Sequence, residues 1–241
     1  MFVLGLLALL AALAKSLNQG ETAVSTGNWS LDVWDPIVQA LAIPEAIPVR
    51  FVKAWMDAES GGNPCAVGSI TAKGPDGNPR EMGLFQLYNP DDLKRVGVTG
   101  SELRAYCVPG TQRVSRKLTP AEMTTQVRAG IQLIKLSRSS AIAAIAKVGA
   151  DFGRGPDFWR FVKLAHALPA LLNPGIVVVT KTLGRPPRDW AEFRKTAENI
   201  QWNSLDPAYA NIAKYQDAGR FPAILDNAEK TGGVVPPEGV A

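Results

Sequence analysis

Histidine is almost missing from this chain, with one residue, His166, in 241. A metal site built on two or more imidazoles is therefore excluded. No Cys-x-x-Cys, His-Glu-x-x-His or EF-hand spacing supplies another kind. No metal and no cofactor are expected. Cysteine is nearly as scarce, Cys65 and Cys107 being the only two. Two alternatives stand for them: one disulfide in an exported protein, or two partly buried thiols. Excess charge is also lacking. The net charge is +4 and no Lys/Arg block occurs. Such mild basicity suits an anionic cell wall, a membrane surface or nucleic acid and does not choose among them. Arginine and aromatic residues are not interleaved as in single-strand binders, so no nucleic-acid partner is expected. Internal repeats are absent. Long apolar runs are absent too: Phe2–Ala14 is apolar and uncharged, but a spanning helix needs about 20 such residues.

What is present is a core-forming composition. Apolar residues make up 46% of the chain, enough for one good-sized domain with extensions. Ala12-Leu13-Ala14 is similar to an A-x-A cleavage site, although Lys15 follows the apolar run and no basic residue precedes it. The segment is read as an export or membrane-targeting signal ahead of a plain buried helix. It would suit a membrane, a phage particle or a secretion assembly as partner. Residues 16–45 read as linker with one short helix near Asp35–Leu41, and residues 216–241 as a C-terminal tail, flexible from Thr231.

The chain is organised around Phe51–Leu87. Phe51, Val52, Trp55 and Met56 recur at helical spacing on one apolar face. Glu59 follows Trp55 by four positions and shares that face; Gly61 and Gly62 end the helix. A carboxyl in the last turn, on the core side, meets desolvation and the negative end of the helix dipole. Both favour its neutral form, which a glycosidase acid needs. The plainer reading is a solvated helix-end carboxylate. Asn63–Arg80 holds three glycines and three prolines among polar residues and is loop. After it comes Gly83-Leu84-Phe85-Gln86, an apolar run opened by glycine and closed by an amide that both donates and accepts.

Glu59-Ser60-Gly61-Gly62-Asn63-Pro64 followed by Gly83-Leu84-Phe85-Gln86 resembles the lytic transglycosylases of the goose-lysozyme and soluble transglycosylase type. That family carries E-S-G-x-N-P and then G-L-M-Q; Phe85 stands where Met is usual. The resemblance covers roughly residues 46–172. It implies an all-α, lysozyme-like domain, placed at residues 46–215. It also implies cleavage of the β-1,4 bond between N-acetylmuramic acid and N-acetylglucosamine in peptidoglycan, giving 1,6-anhydro products. By the same resemblance Glu59 is the single catalytic acid and base. Ser60 and Gln86 hold the substrate, and the backbone at Gly83, Leu84 and Phe85 lines the sugar subsite. For Leu84 and Phe85 the ordinary alternative is core, and for Ser60 a helix-end hydroxyl bonded to backbone. The setting implied is periplasmic, envelope or virion.

Further helices are expected along the chain. Asn89-Pro90 reads as an N-cap with proline at the first helical position. Another short helix is expected at Ser101–Tyr106. Thr119-Pro120-Ala121-Glu122 is a capping box, and the helix it opens has a stripe of Met123, Val127, Ile131 and Ile134. Gly130 inside that helix points to close packing or to a mere cost. Ser140–Val148 is helical. Another helix opens at Pro156 and ends or kinks where Pro169 removes the bond to the Ala165 carbonyl. Gly175–Val179 is β-branched yet read as helix; Asp189–Ile200 and Asp206–Asp217 are amphipathic. The Leu164–Pro169 stretch aligns with the family's A-Y-N-A-G-P, placing His166 at the Asn position and Ala165 where the family has Tyr. His166 is thereby a candidate cleft residue for sugar hydroxyls, and equally a satisfied core histidine.

Three rivals remain open. A goose-type hydrolase would use Asp57 or Glu81 as a second carboxylate. A cysteine amidase would pair Cys65 with His166. A phage or envelope structural protein would bind glycan without cleaving it.

Overall fold

Local sequence chemistry accounts for most of the secondary structure. The structure, a computed structural model, describes residues 29–237. The apolar run Phe2–Ala14, with its export reading, and the last four residues lie outside them. Helix accounts for 61% and strand for 4%, so the class is mainly α, as the successive capped amphipathic segments require. The helices are α1 (Asp35–Ala42), α2 (Val49–Ser60), α3 (Asp91–Val96), α4 (Gly100–Arg104), α5 (Pro120–Lys147), α6 (Pro156–Ala167), α7 (Pro169–Leu172), α8 (Gly175–Leu183), α9 (Trp190–Asn199), α10 (Ala210–Asp217) and α11 (Phe221–Gly233). Short 3₁₀ turns, among them Leu31–Trp34 and Ile43–Glu45, join them. Strands β1 (Glu81–Met82) and β2 (Leu87–Tyr88) form an antiparallel hairpin, with Glu81 opposite Tyr88 and Met82 opposite Leu87. The chain divides into two compact units inside α5, between Leu133 and Ile134, where the sequence suggests one domain over 46–215.

In the first unit α2 is the central helix. Phe51, Val52, Trp55 and Met56 are all buried on its inner face. The segment read as linker joins this core: Trp34, Ile37, Val38 and Ala42 are buried, and Lys53 of α2 pairs with Asp32 at 2.9 Å and Asp35 at 2.7 Å. The short helix expected near Asp35–Leu41 is α1. The cap expected at Asn89 is not formed. Its amide donates to Asp76 Oδ1 at 2.5 Å, and the helix starts later, at Asp91, with Pro90 in the cap position. α4 has instead its own capping box: Thr99 accepts from Glu102 N–H and Glu102 from Thr99 N–H. The box at Thr119 forms, Glu122 Oε2 lying 2.8 Å from Thr119 N, and its helix runs unbroken through the Ser140–Lys147 stretch.

The second unit is built on rings. Phe161 of α6 stacks on Phe152 at 4.6 Å between centroids and meets Trp190 and Phe193 edge-on at 5.2 and 4.9 Å. α6 ends at Ala167, before Pro169, as expected. The β-branched segment at 175–179 is helical, within α8. The C-terminal residues correct the reading of a tail from 216: Phe221–Gly233 is a helix packed on α6, and Thr231 is 1% exposed. Gly232 explains the misreading. It looks like a breaker but serves a crossing, since a Cβ there would lie 2.3 Å from the Arg160 backbone nitrogen.

Candidate functional site

The C-terminus of α2 and the hairpin turn come together through one side chain. Gly61, at φ 59°, ends α2 and donates its N–H to Asp57 O at 2.9 Å. Ser60 Oγ lies 2.9 Å from Met56 O and 2.9 Å from Leu84 O, and accepts from Gly62 N–H at 3.2 Å. One hydroxyl proton serves two carbonyls, so Ser60 ties the helix end to the hairpin turn. Glu59 precedes it and is half-buried, at the edge of the apolar face; Asp57 is exposed on another face. Trp34 Nε1 donates to Gly62 O at 3.1 Å and closes the helix end from the other side.

Between β1 and β2 the chain turns at Gly83–Gln86. Gly83 adopts φ 80° and donates to Ala66 O at 3.0 Å. Gln86 folds back on the same turn: its N–H and its Nε2 both donate to Gly83 O, at 3.2 and 3.0 Å. Gln86 itself sits at φ 48°, a left-handed conformation costing a non-glycine residue roughly 1–2 kcal/mol. Such a conformation persists only where the surroundings hold it, here the two bonds to Gly83 O. Leu84 and Phe85 are wholly buried. Gly83 is buried as well, so the backbone expected to line a sugar subsite is enclosed in the core, and of the four turn residues only Gln86 is part-exposed. The Phe85 ring lies against Gly130, where a Cβ would approach within 2.0 Å; the interior glycine of α5 thus serves close packing.

A residue the sequence reading missed supports the turn from below. Gln126 of α5 is 2% exposed. Its Oε1 accepts from Leu84 N–H at 3.1 Å, and its Nε2 donates to Leu103 O at 3.0 Å, to Pro64 O at 3.3 Å, and to Tyr106 Oη. Burial pushes the Tyr106 hydroxyl above its ordinary pKa and keeps it protonated. A signal existed in the sequence: Ala129, Gly130 and Leu133 follow Gln126 at i+3, i+4 and i+7, so the glutamine is the polar member of a buried face.

The base of the hairpin is fixed by Asp92, whose Oδ2 accepts from Tyr88 N–H at 3.1 Å. Burial raises its pKa, against that bond and the Arg95 charge. Glu81 is exposed on β1 with its carboxylate lying over Gly68, where a Cβ would be 2.0 Å from Oε2. The motif's Asn63 is structural: Oδ1 accepts from Cys65 N–H at 2.9 Å and Nδ2 donates to Gln112 O at 3.1 Å. Cys65 and Cys107 are joined by a disulfide, Cα–Cα 5.8 Å, which resolves the two alternatives and leaves no thiol for a Cys65 nucleophile.

Glu59, Ser60, Gly83, Leu84, Phe85 and Gln86 all lie in the first unit. His166 lies in the second, half-buried in the last turn of α6. Among the described residues no helix is long and apolar enough to cross a membrane, and no group of three or more His, Cys, Asp or Glu is placed to hold a metal. The chain matches no family model, no curated protein and no solved structure.

Proposed function

We propose that the first unit carries the site of a peptidoglycan lytic transglycosylase of lysozyme-like fold, working on glycan strands in the cell envelope or from a virion. The observation that carries this reading is the bond from Ser60 to Leu84 O. It joins two segments far apart in sequence, each similar to a family motif, and puts the turn's backbone beside the helix end that bears Glu59. In this reading Glu59 protonates the glycosidic oxygen as the C1–O4 bond breaks. The resulting carboxylate then takes the proton from the muramic acid 6-hydroxyl as that oxygen attacks C1. No water enters and the acid is regenerated. Gln86, the part-exposed residue of the turn, holds the sugar.

The test is Glu59→Gln on purified sacculi, with mass spectrometry of the digest. Wild type is expected to release anhydro-muropeptides, one water lighter than hydrolytic products. The variant should stay folded and bind sacculi while turnover falls at least about 10²-fold. A variant digesting at the wild-type rate overturns the mechanism. Reducing-end products that still depend on Glu59 would point to a hydrolase, with exposed Glu81 on the adjoining strand the residue to vary next.

A further inference from the structure

We infer that Gln126 is the positioning residue of this site: its side-chain amide fixes the Leu84 peptide, and through it the Gly83–Gln86 turn, beside the helix end that bears Glu59. The inference rests on the proposed transglycosylase reading for its catalytic consequence, and on geometry alone for the clamp itself.

The clamp acts on both polar groups of one residue. Leu84 N–H is held by Gln126 Oε1 at 3.1 Å, and Leu84 C=O by Ser60 Oγ at 2.9 Å. Leu84 is thus fixed between α5 and the end of α2, which sets where the turn stands relative to Glu59. The environment specifies an amide and nothing else. One backbone donor faces the oxygen; two carbonyls, of Leu103 and Pro64, face the nitrogen. A carboxylate would confront both carbonyls with a lone pair, and an aliphatic chain would leave three buried backbone groups unmet. Gly83 belongs to the same device, since any Cβ there would stand 2.8 Å from Gln126 Oε1. Gln126 is buried beneath the turn, so its effect on the reaction runs through the turn.

The test uses the full chain with Gln126→Leu and Gln126→Glu, read in two ways. The first is residue-resolved amide hydrogen exchange at Leu84, with Met56 in α2 as internal control. The second is turnover on purified glycan strands. In Q126L the Leu84 amide should exchange about 10-fold faster or more while Met56 is unchanged, a lost hydrogen bond being worth about 1 kcal/mol or slightly more. kcat should fall about 10-fold with KM within about twofold, because the turn is displaced and not deleted. Q126E should keep Leu84 protection while its carboxyl is neutral, offering one acceptor and one donor, and lose it as pH rises through a value that burial against two carbonyls lifts above the ordinary carboxylate range. A chain that merely tolerates a smaller side chain would show no such titration. Unchanged Leu84 exchange in folded Q126L overturns the clamp; a raised KM at wild-type kcat overturns the positioning role. If Q126L does not fold, the pH dependence of Q126E decides in its place. If wild type cleaves no glycan, the function reading fails, while the exchange result still decides whether Gln126 holds the turn.

Discussion

The two units are held together in different ways. In the second, Phe161 meets three other rings and α11 crosses α6 at a glycine. Its stability is spread over apolar area, with Arg194 of α9 bridging to Asp226 and Glu229 of α11. In the first, the turn at Gly83–Gln86 hangs on a few directed bonds: one hydroxyl, one buried amide and two backbone groups in left-handed conformations. Apolar burial is non-directional, so it tolerates small displacements. A hydrogen bond to one carbonyl does not, and it fixes a peptide to a few tenths of an ångström. The comparison teaches that changes to the ring cluster should appear as stability, whereas changes to the turn's directed bonds should, on the proposed function, appear mainly as turnover.

The largest effect should come from Phe161→Ala. Removing the centre of the ring cluster should cost about 3–5 kcal/mol, seen as a lower midpoint in urea at unchanged slope. A cost under about 1 kcal/mol would mean the cluster is not where the second unit's stability lies. Next is the disulfide, which closes a loop between residues 42 apart and containing the whole hairpin. The double change Cys65→Ser, Cys107→Ser should cost roughly 2–4 kcal/mol, the usual range for such a link. Reduction of wild type should lower the midpoint by a like amount. If both leave the midpoint unmoved, the loop is held by its other contacts.

Ser60→Ala sharpens the comparison, because it sets two roles apart. Its hydroxyl bonds to Leu84 O, so the variant should lose only about 1 kcal/mol of stability. On the proposed function, turnover should drop about 10-fold by way of kcat, that bond energy being what held the turn in place. Had Ser60 met the substrate directly, KM would rise instead. Steady-state kinetics on glycan strands distinguish the two.

Legibility in the sequence followed the same divide. Helices with local signals could be read: the Thr119 box, the stop ahead of Pro169, and the amphipathic stretch from Asp189, which is α9. The β-branched run at 175–179 was legible as helix from its helical neighbours. What could not be read was set by distant partners. The spacing of Gln126 to Ala129, Gly130 and Leu133 puts it on the buried face, but the partners that make it a hub, Leu84, Leu103 and Pro64, are remote in sequence. Gly232-Gly233 reads as a break, because nothing local reveals that Arg160 lies against it. The turn's glycine was legible as a permissive position, whereas Gln86 at positive φ was not, since glutamine has no preference for that region.

The smallest effect expected lies at the start of α5 and concerns acid. Glu122 is held well below the usual carboxylate range, at about 2, first by the Arg116 guanidinium and then by Thr119 N–H. A folded value below the unfolded one, near 4.3, means that stability is present above the unfolded value. It is lost as pH falls from there through about 2. The Arg116–Glu122 pair is solvent-facing, with the Arg116 side chain 49% exposed, so the shift is discounted for screening to about 1 kcal/mol. Asp92 runs the other way: burial raises its folded value, so it favours the folded state most at low pH and loses that contribution as pH rises through the raised value. Glu122→Gln should therefore flatten the acid limb of the stability–pH curve below about pH 4, and Asp92→Asn should remove the fall in stability that Asp92 adds as pH rises through its raised value. Denaturant midpoints measured from pH 2 to 7 check both. If Glu122→Gln leaves the acid limb as steep as in wild type, the capping box carries no charge-dependent stability and the start of α5 is held by packing alone.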